Sequence, residues 1–98
     1  MSKPTEKAPT YRFVLYVVGT EANSVLAREN LLHICDEFLK AGDAVVEVVD
    51  ILVDYQSAID NNVFVTPTLL VEGPRGRLSI VGNLSDIDRI VLTLGFNR

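Results

Sequence analysis

The stretch Tyr11–Val18 does more than any other to limit the folds open to this chain. Only Arg12 interrupts its aliphatic and aromatic side chains, and Gly19 ends it. Such a run reads as a strand buried on both faces. The chain is 98 residues long, room for one domain. With 48% hydrophobic residues it can bury a core along most of its length. Residues 1–10 carry Pro4, Pro9 and two lysines and read as a mobile tail before a domain over 11–98.

The rest of the chain supplies the layers around that strand. Asn23 or Ser24 offers an N-cap, and a helical pattern runs to about Lys40, with Gly42 as a stop. Its periodicity puts Val25, Leu31, Leu32, Ile34, Cys35, Phe38 and Leu39 on one arc. Glu29, Asn30, His33, Asp36, Glu37 and Lys40 fall on the other, joined by Leu26, an apolar residue on a polar face where a partner could dock. Ala44–Val49 is a second strand. Ile51, Leu52, Tyr55 and Ile59 suit a short helix ended by Asn61-Asn62. Thr68–Val71 and Arg77–Val81 flank the turn Gly73-Pro74-Arg75-Gly76 and form a hairpin. Ser85 caps a last helix from Asp86 to about Leu94. The order β-α-β-α-β-β-α is that of an α/β, thioredoxin-like single domain.

The candidate chemistry is sparse. Thioredoxin-like enzymes place a C-x-x-C pair at the start of the first helix, where the helix N-terminus stabilises a thiolate. Here that place reads Gly19-Thr20-Glu21-Ala22-Asn23-Ser24. The single cysteine, Cys35, lies about three turns further on and reads as a core thiol. Thr66-Pro67 sits where such folds carry a cis-proline. Base rates favour trans at any X-Pro bond, and the topological position favours cis. The single histidine, His33, has no second ligand nearby in sequence. The carboxylates show no calcium-loop spacing, and the glycines form no phosphate-binding motif. Nine Lys+Arg against thirteen Asp+Glu give a charge of −4, which argues against nucleic acid. No apolar run reaches the roughly 18–20 residues of a membrane span, and the first ten residues lack a signal-peptide core. A cytoplasmic location is the default expectation.

Five segments carry a family likeness. They are Tyr11–Val18 with Gly19, Asn23-Ser24-Val25, Val48-Val49-Asp50-Ile51-Leu52, Thr66-Pro67-Thr68-Leu69, and Val81-Gly82-Asn83-Leu84-Ser85-Asp86. In this order and spacing the chain resembles the KaiB family over about residues 10–94. The sensor domain of the clock-associated histidine kinase shares the pattern, but with no kinase module present the free-standing type fits better.

The resemblance implies a non-enzymatic protein–protein regulator without a cofactor. Its partners would be a KaiC-like RecA-type ATPase or a histidine kinase, in clock-like or stress-response control, with homo-oligomers (dimer or tetramer) also implied. It also implies two folds: the thioredoxin-like form, and a ground state with a rearranged C-terminal half. Local propensities in residues 68–94 favour the first. The docking surface would comprise Leu26, the region from Asp54 to Asn62, and the Thr66-Pro67 loop. Where clock members tend to be basic, this chain has Val14, Leu26, Glu47 and Asn62. Near the end of the last helix, Thr93 and Gly95 stand where clock members tend to carry Gly and Asp. The competing reading is a thioredoxin-fold redox or glutathione-dependent protein that lacks the usual cysteine pair.

Overall fold

A computed structural model of the chain describes residues 9–96. The expected tail therefore lies, for its first eight residues, outside the described part, and Pro9 and Thr10 are exposed coil. The elements are β1 (Tyr11–Val17), α1 (Ala22–Phe38), β2 (Ala44–Asp50), α2 (Tyr55–Asp60), β3 (Thr68–Gly73), β4 (Gly76–Val81) and α3 (Ile87–Leu94). The sheet order is β2-β1-β3-β4. β1 pairs with β2 in parallel and with β3 antiparallel, and β3 pairs antiparallel with β4. This is the thioredoxin-like arrangement, with the hairpin over 68–81 and the C-terminal helix in place.

Strand alternation distributes the core. Phe13, Leu15 and Val17 pack with Ala27, Leu31 and Ile34 of α1 and with Ile90 and Leu94 of α3. Val14 and Tyr16 point the other way and pack with Val49, Ala58 and Val63. So α1 and α3 cover one face, and α2 covers part of the opposite one. Four aromatics close the end of the first layer where β1 begins. Tyr11 stacks on Phe13 with centroids 5.9 Å apart and meets Phe96 edge-on at 5.2 Å, and Phe38 stacks on Phe96 at 5.9 Å. A Cβ on Gly73 would stand 2.8 Å from the Tyr11 ring, so the hairpin approaches this cluster closely only because that residue is glycine.

Two sequence expectations are corrected here. The first concerns caps. Glu21, not Asn23 or Ser24, caps α1, accepting a 3.1 Å bond from the Ser24 N–H. Ser24 is itself buried, and its Oγ accepts the Val18 N–H at 3.0 Å, fastening the helix to the strand before it. Asp86, not Ser85, caps α3, accepting from the Arg89 N–H. In each case the longer acidic side chain reaches the free N–H of the first turn.

The second correction is the buried stripe of α1. It runs through Ser24, Ala27, Leu31 and Ile34, and leaves Val25 and Leu32 exposed together with Leu26. Ala27 is completely buried, so α1 approaches the sheet along its small residues. That turns the flanking aliphatics outward.

The part of the second face beyond α2 carries a row of alternating charge across all four strands. Arg12 of β1 lies 3.4 Å from Glu47 of β2 and 3.7 Å from Glu72 of β3, and Arg77 of β4 lies 3.2 Å from Glu72.

Candidate functional site

The end of the sheet where β1 and β2 finish and β3 begins gathers the irregular backbone. Asp50 Oδ1 accepts the N–H groups of Gly19 at 3.1 Å and Leu52 at 3.0 Å, joining the loops after β1 and β2. Gly19 takes a φ of 47°, a conformation that favours glycine. The Thr66-Pro67 bond is cis. The Pro67 carbonyl accepts the Gly82 N–H at 2.9 Å, and Thr68 Oγ1 donates to the Val65 carbonyl at 2.7 Å. Asn83 ties the first half of α1 to the loop before α3. Its carbonyl accepts from Asn30 Nδ2 at 2.9 Å, and its Nδ2 donates to Asn23 Oδ1 at 3.2 Å.

The five expected docking residues are spread over this end in two layers. Leu26 projects from the second turn of α1 and is 44% exposed. Asp54 and Asn62 lie across the sheet, at either end of α2. Asp54 is exposed and caps the helix, accepting from the Ser57 N–H at 3.2 Å. Asn62 is exposed and has a φ of 60°, a left-handed turn that asparagine tolerates. Thr66 is half-buried between the layers, and Pro67 is buried, so its part is to shape the loop. Val14 is a core residue on the α2 side. Glu47 is engaged with Arg12.

The expected docking region from Asp54 to Asn62 sits within a longer run of exposed apolar residues than the sequence indicates. Leu52, Val53, Tyr55, Ile59, Phe64 and Val65 are all at least about half exposed, Val53 at 85% and Phe64 at 78%. Ile51, Leu52, Tyr55 and Ile59 read in sequence as the apolar side of a helix. In the structure that helix touches the sheet through Ala58, and only Ile51 of the four joins the core cluster. The available signal was length: six residues make under two turns, too few to bury a broad stripe.

Tyr16 holds this segment in place. Its ring is buried against Ala58 and Val63, and its hydroxyl bonds Ser57 Oγ at 2.9 Å while accepting from Asn61 Nδ2 at 3.2 Å. Tyr16→Phe is expected to lower stability by about 1 kcal/mol, since it removes the partner of Ser57 Oγ, while Asn61 Nδ2 keeps its bond to the Ser57 carbonyl. Amide exchange over 55–61 should quicken more than over β1. Uniform quickening across both segments would refute a local anchoring role.

Little elsewhere in the fold suggests chemistry. No group of three or more His, Cys, Asp or Glu that could hold a metal occurs among the described residues. His33 Nε2 lies 3.1 Å from Glu37 Oε1 on the exposed side of α1. Cys35 is half-buried against the core of the first layer. Burial first, and then the charge of Asp36, push its thiol pKa above the usual cysteine value. Iodoacetamide should therefore alkylate the native thiol more slowly at pH 8 than the same thiol in urea. The unfolded state loses its proton at lower pH, so the thiol's contribution to stability is full below the ordinary cysteine pKa and fades above it. Cys35→Ser should cost about 1 kcal/mol where the hydroxyl finds no partner. Partner binding should survive it, and complete loss of binding with the fold retained would contradict a core role.

The likeness noted in the sequence extends to whole-chain comparison. The model of the KaiB domain matches residues 14–96. The chain belongs to the KaiB family. The circadian clock protein KaiB3 of Synechocystis is 36% identical over 81 residues, covering 82% of this chain and 78% of that one. The circadian clock oscillator protein KaiB of Acaryochloris marina is 36% identical over 85 residues, covering 87% and 81%. Among solved structures, the N-terminal domain of Synechococcus elongatus SasA superposes with a TM-score of 0.73 at 20% identity, covering 96% of this chain and 88% of that one. A mutant thioredoxin from Halobacterium salinarum gives 0.68 at 16% identity, covering 88% and 73%. At these identities the two structures attest the fold alone. As a KaiB-family chain, the protein stands among relatives named as clock proteins. No helix among the described residues is long and apolar enough to cross a membrane.

Proposed function

We propose that this chain is a non-enzymatic regulator that acts by docking on a KaiC-like RecA-type ATPase or on a signalling histidine kinase. The observation that carries this reading is the set of exposed apolar side chains over residues 52–65, at the end of the sheet that also holds the cis Thr66-Pro67 bond. Leu26, Asp54, Asn62 and Thr66 border the same end, and buried Pro67 sets the path of the loop. Kinship with proteins named as clock proteins supports a regulatory role. The redox alternative lacks its nucleophile: no cysteine stands between Gly19 and Ser24.

Calorimetric titration of the full chain into a purified KaiC-like ATPase hexamer tests the reading. Saturable binding is expected, weakened by a charge at Phe64 (Phe64→Glu). In parallel, insulin reduction with dithiothreitol should proceed no faster with the protein than without it. Turnover in that assay, or absence of binding to both an ATPase and a kinase sensor partner, would overturn the proposal. Self-association as a dimer or tetramer belongs to the same reading and is checked by light scattering of the free chain.

A further inference from the structure

Charge is distributed very unevenly along this chain. Between Ala41 and Pro74 there is no Lys, Arg or His, while Asp43, Glu47, Asp50, Asp54, Asp60 and Glu72 contribute −6 to a chain whose total is −4. The same stretch holds most of the exposed large apolar side chains: Val45, Val48, Leu52, Val53, Tyr55, Ile59, Phe64 and Val65. Val48 and Asp50 register with Leu15 and Val17 on the α1 face, but the exposed apolar residues of 52–65 and the charges of Asp54 and Asp60 coincide on the α2 side of the sheet. Glu47 and Glu72 are paired with Arg12 and Arg77. No ion pair among the described residues reaches Asp50, Asp54 or Asp60. Their hydrogen bonds, to the backbone or to Gln56, leave the charge in place.

This combination selects among occupants. A second copy seated face to face would set like charges against each other at close range, which opposes a symmetric dimer here. An anionic lipid surface or a nucleic acid meets the same repulsion. A protein surface with apolar centre and cationic rim gains on both counts: apolar area is buried, and rim charges of opposite sign steer the encounter and fix its register.

We infer that the partner of the 52–65 face presents an apolar centre ringed by lysine or arginine side chains. The inference rests on the docking reading above and adds the charge sign of the partner.

The test uses two amphipathic helical peptides of equal length and equal Leu and Trp content, one with Lys at its polar positions and one with Glu. Each is titrated into the isotopically labelled full chain and followed by amide NMR shifts. The Lys peptide is expected to move the amides of 52–65 and to bind about tenfold more tightly than the Glu peptide. Its affinity should fall about fivefold when salt rises from about 50 to about 300 mM. Asp60→Lys should weaken the Lys peptide about threefold or more. That site is exposed at the C-terminal end of α2, where a cation suits the helix. Asp60→Asn, which should give a smaller loss in the same direction, keeps the test intact should the reversal disturb the fold. Equal binding of both peptides at 52–65 would overturn the charge inference and leave the docking reading standing. Failure of both peptides to touch 52–65 would remove the docking reading and the inference together.

Discussion

Leu15→Ala is expected to lower stability by about 2–5 kcal/mol. Leu15 lies in the middle of β1, paired with Val48 on one side and Leu69 on the other, and is completely buried. It packs in the layer that joins the sheet to α1 and α3, so truncation opens a cavity that the paired strands on either side cannot collapse to fill. Urea titration followed by circular dichroism reads the effect. A control, Leu26→Ala, should stay within about 0.5 kcal/mol of the parent. A loss at Leu15 no larger than the control would mean that the central strand does not organise the core.

Leu26→Glu is expected to weaken partner binding at least tenfold, about 1.4 kcal/mol or more, with little change in stability. The side chain already meets solvent, so a carboxylate there is tolerated in the free chain. In a complex it would have to be desolvated in an apolar contact. Val25 and Leu32 are exposed on the same helix and widen the patch. Leu26 and the 52–65 face lie in layers on opposite sides of the sheet. A partner sensitive to both Leu26→Glu and Phe64→Glu must therefore reach around the sheet end past Thr66. Unchanged affinity for Leu26→Glu confines docking to the α2 layer. Marked destabilisation of the free protein would mean that Leu26 packs inward in solution.

How much of this was legible follows the physics of each segment. β1 was read within one residue, because an unbroken apolar run has few alternatives in a short chain. The hairpin was equally plain, since Gly73-Pro74-Arg75-Gly76 punctuates it. The caps run against the residue-type preference for Asn and Ser, which takes no account of the backbone. Glu21 and Asp86 win by reach, and Ser24 is diverted to Val18. The face of α1 was misread at Val25 and Leu32. Hydrophobic arcs rank residues by type, whereas packing against a flat sheet favours the small Ala27 and Ser24 at closest approach. The site divided similarly. Leu26 stands out by a break in helical pattern, and its side chain is exposed; Thr66-Pro67 stands out by its place in the chain, and its bond is cis. Phe64 and Val65 carry no such signal, because they fall between the short helix and the Thr66-Pro67 loop, where no periodicity assigns a face. Only the course of the loop shows that they never enter the sheet.

The row Glu47–Arg12–Glu72–Arg77 ties the mutational fate of four strands together. Each interior member of the row touches a charge of opposite sign on both sides, so a single reversal creates two repulsions. Arg12→Glu would place three carboxylates abreast on β2, β1 and β3, and Glu72→Lys would do the same with cations. Drift at these positions is therefore coupled. A reversal in one strand is accommodated only with compensating reversals in its neighbours, or by dissolving the row into neutral residues altogether. Four sites far apart in the sequence thus behave, under mutation, as one character.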